Sequence, residues 1–368
     1  MAAPDRAGGF YPLGLYGVNA TNDLPIVKAA GFNLVTGPAE RRYLDAAAAH
    51  GLKVLTPPDT AAGPEFDPAR AQEAIRRFDR HPALWAWYLI DEPDFNQVPP
   101  EQVRQAQRFV KSLRPSKPTA LVLFQGAQSR YYANLADITM IDRYPVPWLP
   151  LANFGQHVQM TRLALPARKP LVAVIQAFDW SSCPELLPGE ANFRPPAFEE
   201  MRCMTYEALA RGANGLFYFA YDSGAWKIRE HPETWAALKR VVAEINDRRP
   251  LFQAEPRWWP KLHRFADSKR RFNAALESSV TSCLLRVRRG NGVVPAGDYV
   301  LAVNNTDQTH TYSFTLPPTP GVVGKAVSTS QAVSRIGVLG EDREVPVQGG
   351  WVTDDFGPYA VRVFGPLP

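Results

Sequence analysis

A (β/α)8 barrel followed by a small antiparallel β-sandwich is the fold class this sequence predicts, on three observations. Short apolar runs alternate with helix-spaced segments from Phe10 to about Asn246, giving eight strand candidates. After Arg249-Pro250 the helical periodicity stops and alternating runs separated by turn residues take over. A length of 368 residues suits a barrel of roughly 250 residues plus a smaller module. The expected division is 1–250 for the barrel and 251–368 for the sandwich, with Leu251–Trp259 as the link.

The first four strands are expected at Phe10–Asn19, Phe32–Thr36, Lys53–Thr56 and Leu84–Asp91. Thr119–Phe124, Ile138–Asp142, Leu171–Ala177 and Gly215–Tyr221 supply the other four. Helical spacing predicts Pro68–Phe78, Pro100–Leu113, Phe198–Arg211 and Thr234–Ile245 between them. Gly31, Gly51 and Gly212 stand just before strands, where a helix ends in the left-handed conformation that glycine accepts. Strands alternating with helices imply a parallel sheet, and eight such units favour closure over an open sheet. An open nucleotide-binding sheet would carry a glycine-rich phosphate loop after strand one. Tyr16-Gly17-Val18-Asn19-Ala20-Thr21 contains neither GxGxxG nor GK[ST].

In the second module, strands are expected at Phe272–Leu276, Thr281–Arg288, Asp298–Asn304, Thr309–Leu316, Lys325–Thr329, Trp351–Asp354 and Ala360–Phe364. Val300–Asn305 followed by Thr311–Leu316 reads as a hairpin.

Composition excludes several function classes. The net charge is +5, but Lys and Arg are scattered among acids. Clusters such as Lys269–Arg271, Arg286–Arg289 and Arg248–Arg249 are too short for a nucleic-acid footprint. No run of about 18 apolar residues exists, so no membrane span is expected. Met1–Gly9 lacks the pattern of a secretion signal. The compartment stays open, because a secreted or periplasmic protein can be met with its signal already removed. Three cysteines, Cys183, Cys203 and Cys283, show no CxxC spacing, which argues against zinc and leaves one bridge, Cys183 to Cys203, conceivable. The six histidines form no HxH or HExxH, and no GxSxG elbow occurs. No metal and no cofactor are expected. Oligomeric state is not legible.

Functional side chains of such barrels project from the C-terminal strand ends, so each exit is read for polar groups. Asn19 ends strand one, Asp59 follows strand three, and strand four delivers Asp91-Glu92-Pro93-Asp94. Strand six ends at Asp142-Arg143-Tyr144, strand seven at Gln176 to Trp180, and strand eight at Tyr221-Asp222. Helix capping is the competing explanation, and it suits Asp59 and Asp94. Leu84–Asp91 is the strongest segment: an aromatic strand ending in two acids and a proline. A carboxyl held among Trp and Tyr is poorly solvated, which raises its pKa and fits a general acid.

The Asp91-Glu92-Pro93 ending resembles the acid/base signature of the retaining (β/α)8 glycoside hydrolases of clan A. Ile141-Asp142-Arg143-Tyr144-Pro145 looks like the D-x-Y-P strand ends of such hydrolases, and Arg194 to Tyr221 resembles their last helix and strand. The resemblance implies Glu92 as proton donor, with Asp91 on a sugar hydroxyl. One departure stands out. The nucleophilic Glu of strand seven is matched here by Gln176, and an amide cannot attack an anomeric carbon. Asp142 is the preferred second carboxylate, with Asp179 and Asp222 as alternatives and Arg143 as a group that could keep Asp142 ionised. Asn19, Arg143, Tyr144, Gln176, Asp179, Trp180, Tyr221, Asp222 and Trp226 are expected to contact substrate. An abundance of flat rings (nine Trp, 13 Tyr, 19 Phe) is compatible with stacking on sugars.

These features together predict cleavage of O-glycosidic bonds in an oligo- or polysaccharide. One rival is a carbohydrate-binding protein on a degenerate hydrolase barrel, for which Gln176 speaks. Another is a glycan lyase or transglycosylase.

Overall fold

The computed structural model describes residues 9–59, 66–187, 189–257, 279–316 and 335–367. Eight parallel strands close a barrel: β1 Leu13–Leu15, β2 Leu34–Thr36, β3 Lys53–Thr56, β4 Leu84–Ile90, β5 Thr119–Leu123, β6 Ile138–Asp142, β7 Leu171–Gln176 and β8 Gly215–Phe219. Each pairs only with parallel neighbours, and β1 returns to β8 through Leu13 with Leu216 and Leu15 with Tyr218. β5 and β7 are buried at every residue, as strands covered on both faces must be.

Most strands are shorter than the apolar runs, and register shifts occur where β4 pairs with β3 and with β5. At the end of β1, Gly17 adopts φ +76°, and a Cβ there would lie 1.8 Å from the Asp222 carbonyl oxygen. Glycine thereby lets the exits of β1 and β8 touch.

The surrounding helices are α1 Leu24–Ala29, α2 Arg41–Ala49, α3 Pro68–Phe78, α4 Pro100–Ser112, α5 Ser129–Tyr132, α6 Ala152–Ala164, α7 Phe198–Ala210 and α8 Pro232–Asp247. α3 shows why its boundaries could be read. Asp67 accepts from the Ala69 and Arg70 amides at 2.9 and 3.1 Å, Pro68 opens the helix, and Ala71, Ile75 and Phe78 face the core. That cap corrects the expectation for Asp59, whose carboxylate instead receives the Asp67 amide at 3.4 Å. Asp94 is not a cap either, since Pro99 precedes α4. It accepts the Phe124 and Gln125 amides at 3.1 and 2.7 Å and so ties the β4 exit to the β5 exit.

A small hairpin, β9 Asp222–Ser223 with β10 Trp226–Lys227, follows β8, and the short helix α9 Arg249–Phe252 follows α8. Two four-stranded antiparallel sheets come next. The first is β11 Pro256–Arg257, β12 Val280–Val287, β13 Gly297–Asn304 and, at its far edge, β18 Val361–Phe364. The second holds β14 His310–Thr315, β15 Arg335–Gly337, β16 Glu344–Gln348 and β17 Trp351–Phe356. Leu284, Val300 and Ala302 of one sheet share a core with Tyr312, Phe314 and Val352 of the other.

The hairpin expected from Val300 to Leu316 does not form, because β13 pairs with β12 and β18 whereas β14 pairs with β17. The cause is Asn304. Its amide donates to the Gln308 and Gly357 carbonyls at 2.7 and 2.8 Å and its oxygen accepts from Thr306, so the turn carries the chain from one sheet to the other. Phe272–Leu276, Lys325–Thr329 and the Lys269–Arg271 cluster lie outside the described residues. β15 and β16 were not anticipated: they are short, mostly exposed, and interrupted by Pro346.

All three cysteines are free, which removes the Cys183–Cys203 bridge. Cys203 is buried in α7, with its thiol donating to the Asn304 carbonyl oxygen. Buried Glu207, also on α7, accepts from Arg211 at 3.2 Å and from the Asn305 amide at 2.9 Å, joining barrel and β module. Among the described residues no helix is long and apolar enough to cross a membrane, and no cluster of three potential metal ligands occurs.

Candidate active site

The end of β4 is irregular where the chemistry would sit. Its pairing with β5 shifts between Tyr88 and Ile90, and such a bulge re-aims the side chains that follow. Glu92 then takes φ +41°, a left-handed conformation unusual for a residue with a side chain. The backbone holds it there. Its amide donates to the Val122 carbonyl at 3.1 Å, and its carbonyl accepts from the Phe95 and Asn96 amides at 3.1 and 2.9 Å.

This twist brings the Glu92 carboxyl into hydrogen-bonding reach of Asp142 at the end of β6. Asp142 is 4% exposed. Tyr144 donates to its Oδ2 at 3.0 Å, while Oδ1 is buried without a donor. Two carboxylates can bond to each other only if one carries a proton, so this closeness favours a singly protonated pair. Both groups are raised. Burial is the largest cause for Asp142, followed by the charge of Glu92, and it holds that carboxyl well above the ordinary carboxylate range. Glu92 is raised by desolvation, with its bond to Asp142 acting in the opposite direction.

Asp91 points to a different partner. Tyr88 donates to its Oδ1, and Tyr16 donates to Tyr88 at 3.3 Å. Its pKa is pushed up to about 7, by desolvation first and then by the Glu92 charge. Asp91 nevertheless keeps a solvent-open face, and screening there limits the rise, so the upward direction is what matters. Neither Tyr16 nor Tyr88 was singled out from the sequence. Side chains alternate along a strand, so Trp87, bonded outward to Asp79 near α3 at 3.0 Å, places Tyr88 inward.

Two aromatic groups flank the carboxyl pair. On one side Phe95, 46% exposed, meets Phe124 edge-on, and the Arg143 guanidinium lies 4.6 Å from the Phe124 centroid. On the other, Tyr144 stacks on Phe219 at 5.5 Å, with Phe178 and Trp180 edge-on to Tyr144. Phe178 and Phe219 escaped notice because neither carries a polar group. Trp180 is half-buried, and its indole N–H has no acceptor.

Other expected site residues sit elsewhere. Arg143 donates to Asn153 at 2.7 Å and makes no ion pair with Asp142. Gln176 is fully buried: it accepts from the Val146 amide at 2.9 Å and donates to the Val146 and Phe178 carbonyls at 2.8 and 3.3 Å. It clamps the β6 and β7 loops and offers no free polar atom. Asp179 caps the turn Trp180–Ser182 through the Ser181 amide at 2.8 Å. Tyr221 is buried, donating to Asp23 at 2.8 Å. Trp226 is buried, stacked on His231 at 4.1 Å, and donates to the Ala220 carbonyl. Asp222 pairs with Lys227 in the β9–β10 hairpin, and Asn19 is exposed beyond β1.

No family model matches the sequence, and no curated protein matches it. Solved structures match its shape. AmyP in complex with maltose superposes with a TM-score of 0.53 at 9% identity, covering 96% of each chain. What the two share is the fold: a closed eight-stranded parallel barrel followed by antiparallel sheets. An AmyP variant in complex with maltotriose gives 0.54 at 9% identity over 94% of this chain and 89% of that one. Anoxybacillus α-amylase gives 0.53 at 10% identity over 95% and 90%. At such coverage the likeness extends through the C-terminal β module.

Proposed function

We propose that this protein hydrolyses O-glycosidic bonds of a neutral oligo- or polysaccharide, with Glu92 as proton donor and Asp142 as its partner carboxylate. The contact between those two groups carries the reading. Inverting enzymes separate their carboxyls by roughly 6.5–9.5 Å to admit a water, and retaining ones by roughly 5–5.5 Å. Carboxyls this close leave no room between them for the water of an inverting site, which favours Asp142 as nucleophile.

In the free pair, deeper burial favours keeping the shared proton on Asp142, with Glu92 charged. A sugar seated in the cleft would desolvate the more open Glu92 and draw the proton onto it, leaving Asp142 as the anion that Tyr144 stabilises. Glu92 then protonates the leaving oxygen as Asp142 attacks C1 to form a glycosyl ester. Water, deprotonated by Glu92, cleaves that ester and returns the proton.

Asp91, Glu92 and Asp142 make no ion pair with Lys or Arg among the described residues, so a uronate carboxylate seated on these acids would meet no bound counter-charge. That speaks against a uronide lyase. Neighbours in complex with maltose and maltotriose add weight to a neutral glucan-like substrate.

The test uses aryl glycosides and oligosaccharides. Glu92→Gln should lose roughly 10²–10⁴-fold on oligosaccharides but retain activity on glycosides with a good leaving group, restored further by azide. Asp142→Asn should lose both. Products of the native protein should keep the substrate's anomeric configuration. Full activity in Glu92→Gln on the oligosaccharide would reject the assignment. Gln176 favours a second reading, a sugar-binding protein without turnover; saturable binding with no product would establish it.

A further inference from the structure

The opposite mouth of the barrel, at the strand starts, holds a cavity of about 1000 Å³. Its walls combine two chemistries. Lys53, Lys117, Arg168 and Lys169 all line it, and Asp137 is the lone acid among them. That acid is already engaged by Lys111 and by the Thr119 amide at 2.8 Å, so it neutralises little of the remaining positive charge. Among the described residues, the Lys117 ammonium and the Arg168 guanidinium make no hydrogen bond or ion pair. Burial pulls Lys169 down to about 8, and burial together with the nearby Lys53 charge also lowers Lys117. A cluster of like charges costs stability unless an anion relieves it.

The remaining wall is not charged. Trp85, half-buried and 6.5 Å from the Phe10 ring, offers a flat apolar face. Gln107 contributes a buried carbonyl oxygen with no donor. An aromatic face beside an unfilled acceptor suits a ring bearing hydroxyl groups, and the volume falls within the range of small-molecule sites.

We propose that this cavity is a second ligand site that takes a phosphorylated sugar, its phosphate held by Lys117, Arg168 and Lys169 and its ring set against Trp85. The site is on the far side of the barrel from Glu92 and does not depend on what the upper mouth does. Occupancy would neutralise the cations, so binding would weaken as salt rises and would raise the Lys169 pKa.

The test is calorimetric titration of the full chain at low ionic strength with glucose 6-phosphate, glucose, inorganic phosphate and AMP. Glucose 6-phosphate is expected to bind saturably, inorganic phosphate more weakly, and glucose not at all. Lys117→Gln combined with Lys169→Gln should weaken that binding by about tenfold or more, while Glu92→Gln leaves it unchanged. Should the double variant fail to fold, Arg168→Gln at an exposed position carries the same test with a smaller loss. The absence of saturable binding by any phosphate probe would overturn the site. Binding that survives the lysine replacements, or that Glu92→Gln abolishes, would do the same. A preference for AMP over glucose 6-phosphate would overturn the sugar assignment.

Discussion

Glu92 and Asp142 lie within hydrogen-bonding reach of each other although they leave the barrel on β4 and β6, which are separated by β5. Their closeness comes from the left-handed backbone at Glu92 and from the burial of Asp142. Two such carboxyls titrate as a unit, losing a first proton easily and the second reluctantly. Activity needs the singly protonated form. The expected kcat/KM profile is therefore a bell with both limbs above the ordinary carboxylate range of about 4, because both groups are raised. A pH series with an aryl glycoside checks this, and a rate unchanged from pH 4 to 8 would sink it.

The same pair should cost stability. A carboxyl whose folded pKa lies above its unfolded value of about 3.9 favours the native state below that pH and loses the contribution as pH rises through the folded value. Asp142 is such a group. Asp142→Asn should therefore melt higher than the native protein at pH 7–8, by roughly 2 °C or more, with the gain shrinking toward pH 4. Calorimetry at the two pH values decides it, and equal shifts at both would refute the burial argument.

Much of this arrangement was legible in the sequence because exit acids and their strands are local features. β3, β6 and α3 fall where periodicity places them, and Asp91-Glu92-Pro93 needs no tertiary knowledge to be noticed. What stayed hidden depends on direction. Tyr221 and Trp226 follow a strand exit as a subsite ring would, yet they turn toward Asp23 and His231. Gln176 follows the same exit rule, but the β6 loop consumes its amide. In the β module, alternation marks strands without saying which sheet each joins, and Asn304 made that choice through its side chain.

Tyr88 gives a test of positioning distinct from chemistry. It donates to Asp91 and receives from Tyr16, which favours the charged form of Asp91 and fixes its orientation. Tyr88→Phe removes the donor, so the Asp91 pKa should climb further. A hydrogen bond to a charged group is worth about 1.5–3 kcal/mol, so KM should rise roughly tenfold while kcat changes less. The defect should be largest just above pH 7, where the native Asp91 is charged and the variant's is still protonated, and shrink at lower pH, where both carry the proton. A kcat loss with KM unchanged would instead place Tyr88 in the chemical step.

Glu207 offers a prediction for the join between the two bodies. It is fully buried on α7, receives Arg211 at 3.2 Å and the Asn305 amide at 2.9 Å, and Arg211 donates on to Thr281 of β12 at 2.8 Å. Removing the acid leaves the Arg211 guanidinium with only neutral acceptors, Gln159 and Thr281, and no counter-charge, a loss of up to about 3–5 kcal/mol. Glu207→Ala should therefore melt lower and separate the unfolding of the β module from that of the barrel, giving two calorimetric transitions. Glu207→Gln keeps an acceptor for Asn305 and should lose less. Because Glu207 is remote from Glu92, turnover per folded molecule should be preserved in both variants. A single transition at the native temperature in Glu207→Ala would show that the join rests on the apolar contacts around Cys203 and Cys283 instead.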